Sequence, residues 1–323
     1  MAKIRDLKVD NLNKIRSCLT DGNIWTKNAL AEKTSLSLAT TTNMLQILLK
    51  RKEILYIGEA RSTGGRKSKQ YQLNQDYAHI LCVLLHKKDN QEGLVIQRLD
   101  LCGHLLEEMS SYVTQMTPKL LIEILLHLKA KDDLLEYVAL SIPGVCEDGK
   151  TDFTDLKTFH QLDLKALIEE KCHLHFLMEN DVNTACLGFL NQHTHVQHLA
   201  LIYQPQNDAV GCGLVVNRSL YRGYSHFAGE LGFLPFNHDG LKGETLQRSP
   251  QLLLEKQIET LCCVFNPEYV VIYSEVFKDK QDFNLTSIPI KHQPKIDWIE
   301  DIDKLILIGL YQLALDHLKE EDI

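Results

Sequence analysis

Residues 179–184 read ENDVNT, between an apolar stretch (HLHFLME, 173–179) and a segment with helical spacing (VNTACLGFLNQ, 182–192). An Asn-Asp pair at such a junction has three uses. Either side chain can cap the helix, because its oxygen accepts one of the N–H groups that the first turn leaves over. The pair can hold a sugar, since a carboxylate accepts two hydroxyls with charge-assisted strength and an amide both donates and accepts. Asp181 can also take a proton from a sugar hydroxyl, if chemistry follows. The surrounding chain bears on the choice.

On both sides of ENDVNT, strand and helix patterns alternate. HILCVLLH (79–86) reads as a strand, and GLVIQRLDL (93–101) with GHLLEEMSSYV (103–113) as a hairpin turning near Cys102-Gly103. PKLLIEILLHLKAK (118–131) is an amphipathic helix opened by Pro118. YVALSIPGV (137–145) is a strand ending in a Pro-Gly turn, and LDLKALIEEKC (162–172) is a helix. LALIYQP, GCGLVVN and the LYRG region supply further strands, and residues 299–321 close the chain with an amphipathic helix. This is an α/β body. No short-period repeat is visible in it.

The 323 residues carry 44% hydrophobic and 24% charged side chains, as in an ordinary soluble protein long enough for two or three domains. No apolar run approaches the roughly 20 residues of a membrane helix, and the first residues lack a signal-peptide core. The expectation is therefore a cytoplasmic protein without membrane contact. Nine cysteines without C-x-x-C spacing, most of them in apolar runs such as ILCVLL and ETLCCVF, read as reduced and buried. The net charge of −8 is divided: residues 1–75 hold 14 Lys/Arg against 6 Asp/Glu, while the remainder is strongly acidic. A basic head on an acidic body suggests that the head meets a polyanion.

The head contains three short helical patterns. Leu12, Ile15 and Leu19 share a face of the first; Thr26 can cap the second, and Ser37 the third. In the third, Leu38, Leu45, Leu48 and Leu49 are expected inward, leaving Thr40, Thr41, Asn43 and Gln46 for base edges. EILYIGEA (53–60) and KQYQLN (69–74) then flank a Gly-Gly turn carrying Arg61, Arg66, Lys67 and Lys69, cations suited to phosphates. This is the pattern of a winged helix-turn-helix that binds double-stranded DNA; the competing reading is a helical protein-interaction module with a solvated hairpin. NQDYA (74–78) reads as the linker.

From the wing to about residue 236 the chain resembles the ROK family (repressors, open reading frames and sugar kinases). The matching segments are TGGRKSKQYQLN (63–74), SIPGVCEDGK (141–150), ENDVNTACLGF (179–189), GLVVNRSLYRGYSHFAGELG (213–232) and IGLYQLAL (308–315). The resemblance implies a two-lobed, actin-like (ribonuclease-H-like) body of residues 76–323 behind a head of residues 1–75. Lobe 1 would comprise about 76–193 and 298–323, and a shortened lobe 2 about 194–297. It also implies a sugar in the cleft between the lobes, held by Gly144, Asn180, Asp181 and Glu230. His226 reads as a packing or exposed histidine.

Kinases of the family hold ATP on Gly-rich loops, whose bare amides reach the phosphates. The corresponding segments here, LLHKKDNQEG (84–93), QPQNDAVGCG (204–213) and SEVFKD (274–279), add side chains where phosphate or base must approach the backbone. The family's zinc site is also missing its ligands: Phe233 stands at the His position after GELG, no Cys cluster follows, His238 has no partner, and Cys262 and Cys263 diverge on a helix.

These features predict a repressor, with no catalytic residue, cofactor or metal. It would act as a homodimer or higher homo-oligomer on a pseudo-palindromic operator, with a sugar or sugar derivative as effector. Asp181 is then a ligand-binding group. A ligand-blind DNA-binding protein whose body only oligomerises is the alternative, and an active sugar kinase a more distant one.

Overall fold

The computed structural model describes residues 2–60, 68–88, 91–206, 210–238 and 248–320. The head opens with α1 (Ala2–Leu19), followed by β1 (Trp25–Thr26), α2 (Lys27–Thr34) and α3 (Leu38–Lys50), then β2 (Ile54–Glu59) and β3 (Lys69–Leu73). The strands form an antiparallel sheet in the order β1-β3-β2. Thr26 and Ser37 cap α2 and α3 as expected, their hydroxyls accepting from the Ala29 and Thr40 amides. Leu12, Ile15, Leu19, Leu30, Leu45 and Leu48 close the interior. Each such leucine contributes roughly 2 kcal/mol on leaving water. Arg16 donates from Nε and Nη2 to the two Glu53 oxygens at 2.7 and 2.9 Å, a buried fork that ties α1 to the chain entering β2.

Two expectations for α3 are corrected. Leu38 is 51% exposed rather than inward, because the first helical position precedes the buried stripe. Thr41, expected to read bases, is wholly buried, and its hydroxyl donates to the Ser37 carbonyl.

The body begins with β4 (His79–Lys88), β5 (Gln91–Leu99) and β6 (Leu105–Val113), then α4 (Pro118–Lys131), β7 (Leu135–Ile142) and the hairpin β8 (Gly144–Glu147) with β9 (Lys150–Thr154). It continues through α5 (Leu164–Cys172), β10 (His175–Asn180), α6 (Asp181–Gln192), β11 (Leu199–Gln204), β12 (Gly211–Val216) and β13 (Ser219–Leu220). After the single turn α7 (Pro235–His238) come α8 (Pro250–Val264), β14 (Tyr269–Ser274), β15 (Lys295–Trp298) and α9 (Ile302–Glu320).

Two five-stranded sheets follow one plan. The first has the order β10-β7-β4-β5-β6, and the second β13-β12-β11-β14-β15. In each, an antiparallel meander is extended on one side by two parallel strands. This duplication of an actin-like unit is invisible as a sequence repeat, because the same strand plan is built from different side chains. The second lobe, though short, thus keeps five strands. Within residues 237–297 lie α8, β14 and the start of β15.

The sheets share a helical filling. α6 packs against β11 and β12, and α9 against β4, β7 and α6. The α6–α9 crossing is close: a Cβ at Gly188 would fall 2.0 Å from the Leu305 carbonyl, and one at Gly309 would fall 1.9 Å from that of Thr184. α4 and α5 cover the opposite face of the first sheet, and α8 covers that of the second.

Head and body are joined without a break. One hydrophobic core runs from Leu12, Ile15 and Leu48 through Ile80 and Cys82 to Leu201, Val215, Leu310 and Ala314. The expected linker is tied down as well. The Asn74 amide donates to the Glu53 carbonyl, the Leu101 amide to that of Gln75, and the Tyr311 hydroxyl to that of Leu101. Just beyond it, Asp132 accepts from Arg98 Nη1 at 2.5 Å and pairs with His79 Nδ1 at 2.6 Å.

Candidate functional site

The first sheet delivers ENDVNT to the cleft by a simple route. β10 buries Phe176 and Glu179 and runs parallel to β7, so its C-terminal end emerges beside the Pro-Gly turn that follows β7. α6 starts there, and Asn180 is its cap: Oδ1 accepts from the Asn183 amide at 3.0 Å, while Nδ2 donates to the Gly144 carbonyl at 2.8 Å. One amide side chain therefore satisfies the helix start and pins it to β8. Gly144 itself has φ +110°, and a Cβ there would lie 2.1 Å from the Phe153 carbonyl, so no larger residue fits between the two hairpin strands.

Asp181 is not the cap. Its Oδ1 accepts from the adjacent Val182 amide at 2.8 Å. Burial, reinforced by the negative charges of Asp155 and Glu230, pushes its carboxyl up to about 7. Burial and Asp155 raise the Glu230 carboxyl too. Asp181 and Glu230 are thus both poorly solvated and both within reach of the Asp155 charge, which favours their holding protons or meeting hydroxyl donors. Among the described residues, no group of three or more His, Cys, Asp or Glu is placed to hold a metal.

Glu230 comes from the second lobe, on the turn after Gly229. A Cβ at Gly229 would lie 1.7 Å from the Cys212 carbonyl, and φ is +99°, so the turn presses its backbone onto β12. The same segment supplies Arg222, which donates from Nε at 2.8 Å and Nη2 at 2.5 Å to Glu179 Oε2. Glu179 is 4% exposed, and its other oxygen accepts from the Asn180 amide and from Asn183 Nδ2. A buried carboxylate so paired is fully satisfied and holds the lobes together. His226 adds a second strap: its Nδ1 stands 3.0 Å from the Cys146 carbonyl, with Nε2 3.6 Å from Glu147.

The cavity bounded by Gly144, Asn180, Cys212, His226 and Glu230 measures about 20 Å³. That is room for about one water. Asp181 stands at the margin of this space and does not line it. Sequence reasoning missed Asp155, Glu179 and Arg222. The signal for Glu179 was available, since a carboxylate ending an apolar strand needs a cation; nothing in the sequence named Arg222 as that cation.

On the head, Asn43 and Gln46 are exposed on α3, and Thr40 is half-buried, its hydroxyl 2.9 Å from that of Ser37. Lys69 is exposed, with Nζ 5.8 Å from the centre of the Tyr56 ring. Arg61, Arg66 and Lys67 lie outside the described residues. So do 89–90 and 207–209 in two of the segments compared with nucleotide loops.

Residues 99–248 match the model of the ROK family. The match takes in all four expected cleft residues, Gly144, Asn180, Asp181 and Glu230. Over 225 residues the chain is 27% identical to the xylose repressor of Bacillus spizizenii, covering 66% of this chain and 57% of that protein. The xylose repressor of Bacillus subtilis is 26% identical over 224 residues, with the same coverage. The chain thus spans little more than half the length of these relatives. Among solved structures, a ROK family transcriptional regulator described as a homologue of the E. coli MLC protein superposes with a TM-score of 0.72 at 15% identity, over 97% of this chain and 98% of that one. That likeness of fold extends beyond residues 99–248 into the head. A ROK family protein from Streptococcus pneumoniae, in complex with sucrose, has a TM-score of 0.56 at 14% identity, over 75% of this chain and 99% of the other. Among the described residues, no helix is long and apolar enough to cross a membrane.

Proposed function

We propose that the protein is a sequence-specific DNA-binding repressor whose ROK body senses a sugar. The observation that carries this reading is the shared core: a basic three-helix head is packed without slack onto a body whose lobes close around a carboxyl-lined cleft. Residues 1–75 form the winged helix-turn-helix and 76–323 the sensor. Lobe 1 takes 76–193 and 298–323, and lobe 2 takes 194–297. Thr40, Asn43 and Gln46 read bases, while Arg61, Arg66, Lys67 and Lys69 meet phosphates. Asn180, Asp181 and Glu230 receive sugar hydroxyls, and Gly144 shapes the turn beside them.

The repressor names of the two Bacillus relatives favour this reading over a kinase, and they make a pentose the first effector to try. No phosphoryl transfer is part of the reading: Asp181 binds, and no cofactor or metal is required. A homodimer places two α3 helices in successive major grooves of a pseudo-palindromic operator. Sugar binding changes the lobe angle, and a difference of roughly 1–3 kcal/mol between the two lobe states suffices for regulation.

The test is operator binding and thermal unfolding against a panel of pentoses, hexoses and their phosphates. A ligand at about 100 times its Kd adds roughly 2.7 kcal/mol. The expected result is one sugar that raises the unfolding temperature and releases DNA, with both responses absent in Asp181→Asn. DNA binding that ignores every sugar and is untouched by Asp181→Asn would favour the ligand-blind alternative.

A further inference from the structure

The first sheet ends in β6, and among the described residues no strand pairs with its outer edge. Such a free row of backbone donors and acceptors is a template for another strand unless something blocks it. The edge is long and carries exposed apolar side chains: Leu105, Leu106 and Tyr112 are 53%, 43% and 57% exposed. A groove of about 410 Å³ runs beside it, between β5–β6 and α4, walled by Leu94, Met109, Ile124 and Leu128.

We infer that β6 is the contact between two copies of this chain, paired antiparallel about a two-fold axis at Met109. The register follows from geometry and charge. In antiparallel pairing, facing residues must both be of the hydrogen-bonded or both of the non-hydrogen-bonded kind. With two-fold symmetry this forces some residue to face its own copy. Centring on Glu107 or Glu108 sets a carboxylate against itself. Centring on Ser110 sets both carboxylates against Val113 and Tyr112 of the second copy. Centring on Met109 instead sets Glu107 opposite the second copy's Ser111 and Glu108 opposite its Ser110, where hydroxyls can donate. The run 107–113 is regular, and the bulge between Arg98 and Leu99 lies at its start. Two five-stranded sheets would then become one of about ten strands, an ordinary size, with the grooves beside Met109 meeting at the axis. This inference rests on the homodimer reading above and names its surface.

The experiment is sedimentation of the full chain over a concentration series, with Ser110→Glu and Ser110→Lys, both at an exposed position. In the Met109 register each substitution faces Glu108 twice by symmetry. Ser110→Glu creates two like-charged cross-strand pairs and should raise the dimer Kd about tenfold; Ser110→Lys creates two opposite pairs and should lower it. The two effects should shrink together with added salt. Ser111→Glu and Ser111→Lys, facing Glu107, repeat the test should either Ser110 variant fail to fold. A wild-type dimer whose Kd neither pair of variants changes, or whose Kd changes in the same direction for Glu and Lys, would overturn the β6 contact while leaving dimerisation intact. A chain that stays monomeric at every concentration would overturn both.

Discussion

Replacing Asp181 by Asn should stabilise the sugar-free protein, by an amount that grows with pH. In the unfolded chain this carboxyl ionises near 3.8, whereas in the fold burial holds it near 7. Between those values the native state keeps a proton that the unfolded state has lost. Stability therefore falls as pH rises through the window, and levels off above it. Keeping the carboxylate ionised at pH 8 costs up to about 4 kcal/mol. The residue is only half-buried, and screening by the solvent at its exposed side brings the figure to about 2 kcal/mol. An amide does not ionise, and its oxygen can still accept from the Val182 amide. Glu230 is present in both proteins and largely cancels. Urea unfolding of wild type and Asp181→Asn at half-unit steps from pH 3 to 8 should give nearly equal stabilities at the acid end, below the unfolded value. At the alkaline end the variant should lead by about 2 kcal/mol, or a few degrees in unfolding temperature. A variant that is less stable at pH 8, or a difference that does not change with pH, would refute the claim that Asp181 is held at a cost to the fold. A residue retained against stability is the kind expected where a ligand binds.

Two further outcomes follow from the packing. Arg222→Ala leaves Glu179 buried with only its two remaining donors, and should cost about 2–3 kcal/mol by urea unfolding, given that Arg222 is partly solvated. Gly309→Ala drives a methyl group into the Thr184 carbonyl, an obstacle that cannot rotate away. A loss of about 3 kcal/mol or more is expected, and a variant within about 0.5 kcal/mol of wild type would show that the α6–α9 crossing can yield.

Much of the body was legible because its strands and helices announce themselves by period and by turn chemistry. Pro118, the Pro-Gly turn and ENDVNT all stand at the junctions that their chemistry suggests. α3 was read less well: Thr41 is polar yet belongs to the buried stripe, its hydroxyl satisfied by Ser37 one turn back, and no propensity distinguishes that from an outward threonine. The cleft was half legible. Asn180, Asp181 and Glu230 lie in motifs; Asp155 comes from an unremarkable segment, and Arg222, though inside the 213–232 segment, gains meaning only when the fold brings it to Glu179. The second lobe shows the converse. Residues 237–297 resemble the family poorly, yet β14 and β15 complete the sheet, because strand order is set by connection and burial more than by residue identity.

The short pinned passage from β3 to β4 also sets how motion can leave the body. A loose tether would let the head average over orientations, and a turn of the lobes would dissipate as slack. Here Asn74 is bonded to Glu53 on one side, Gln75 to Leu101 on the other, and Leu101 in turn to Tyr311 of α9. The head is thus coupled through Gln75 and Leu101 to the last helix of the chain, and a turn of α9 would bear directly on the passage that leads to α3.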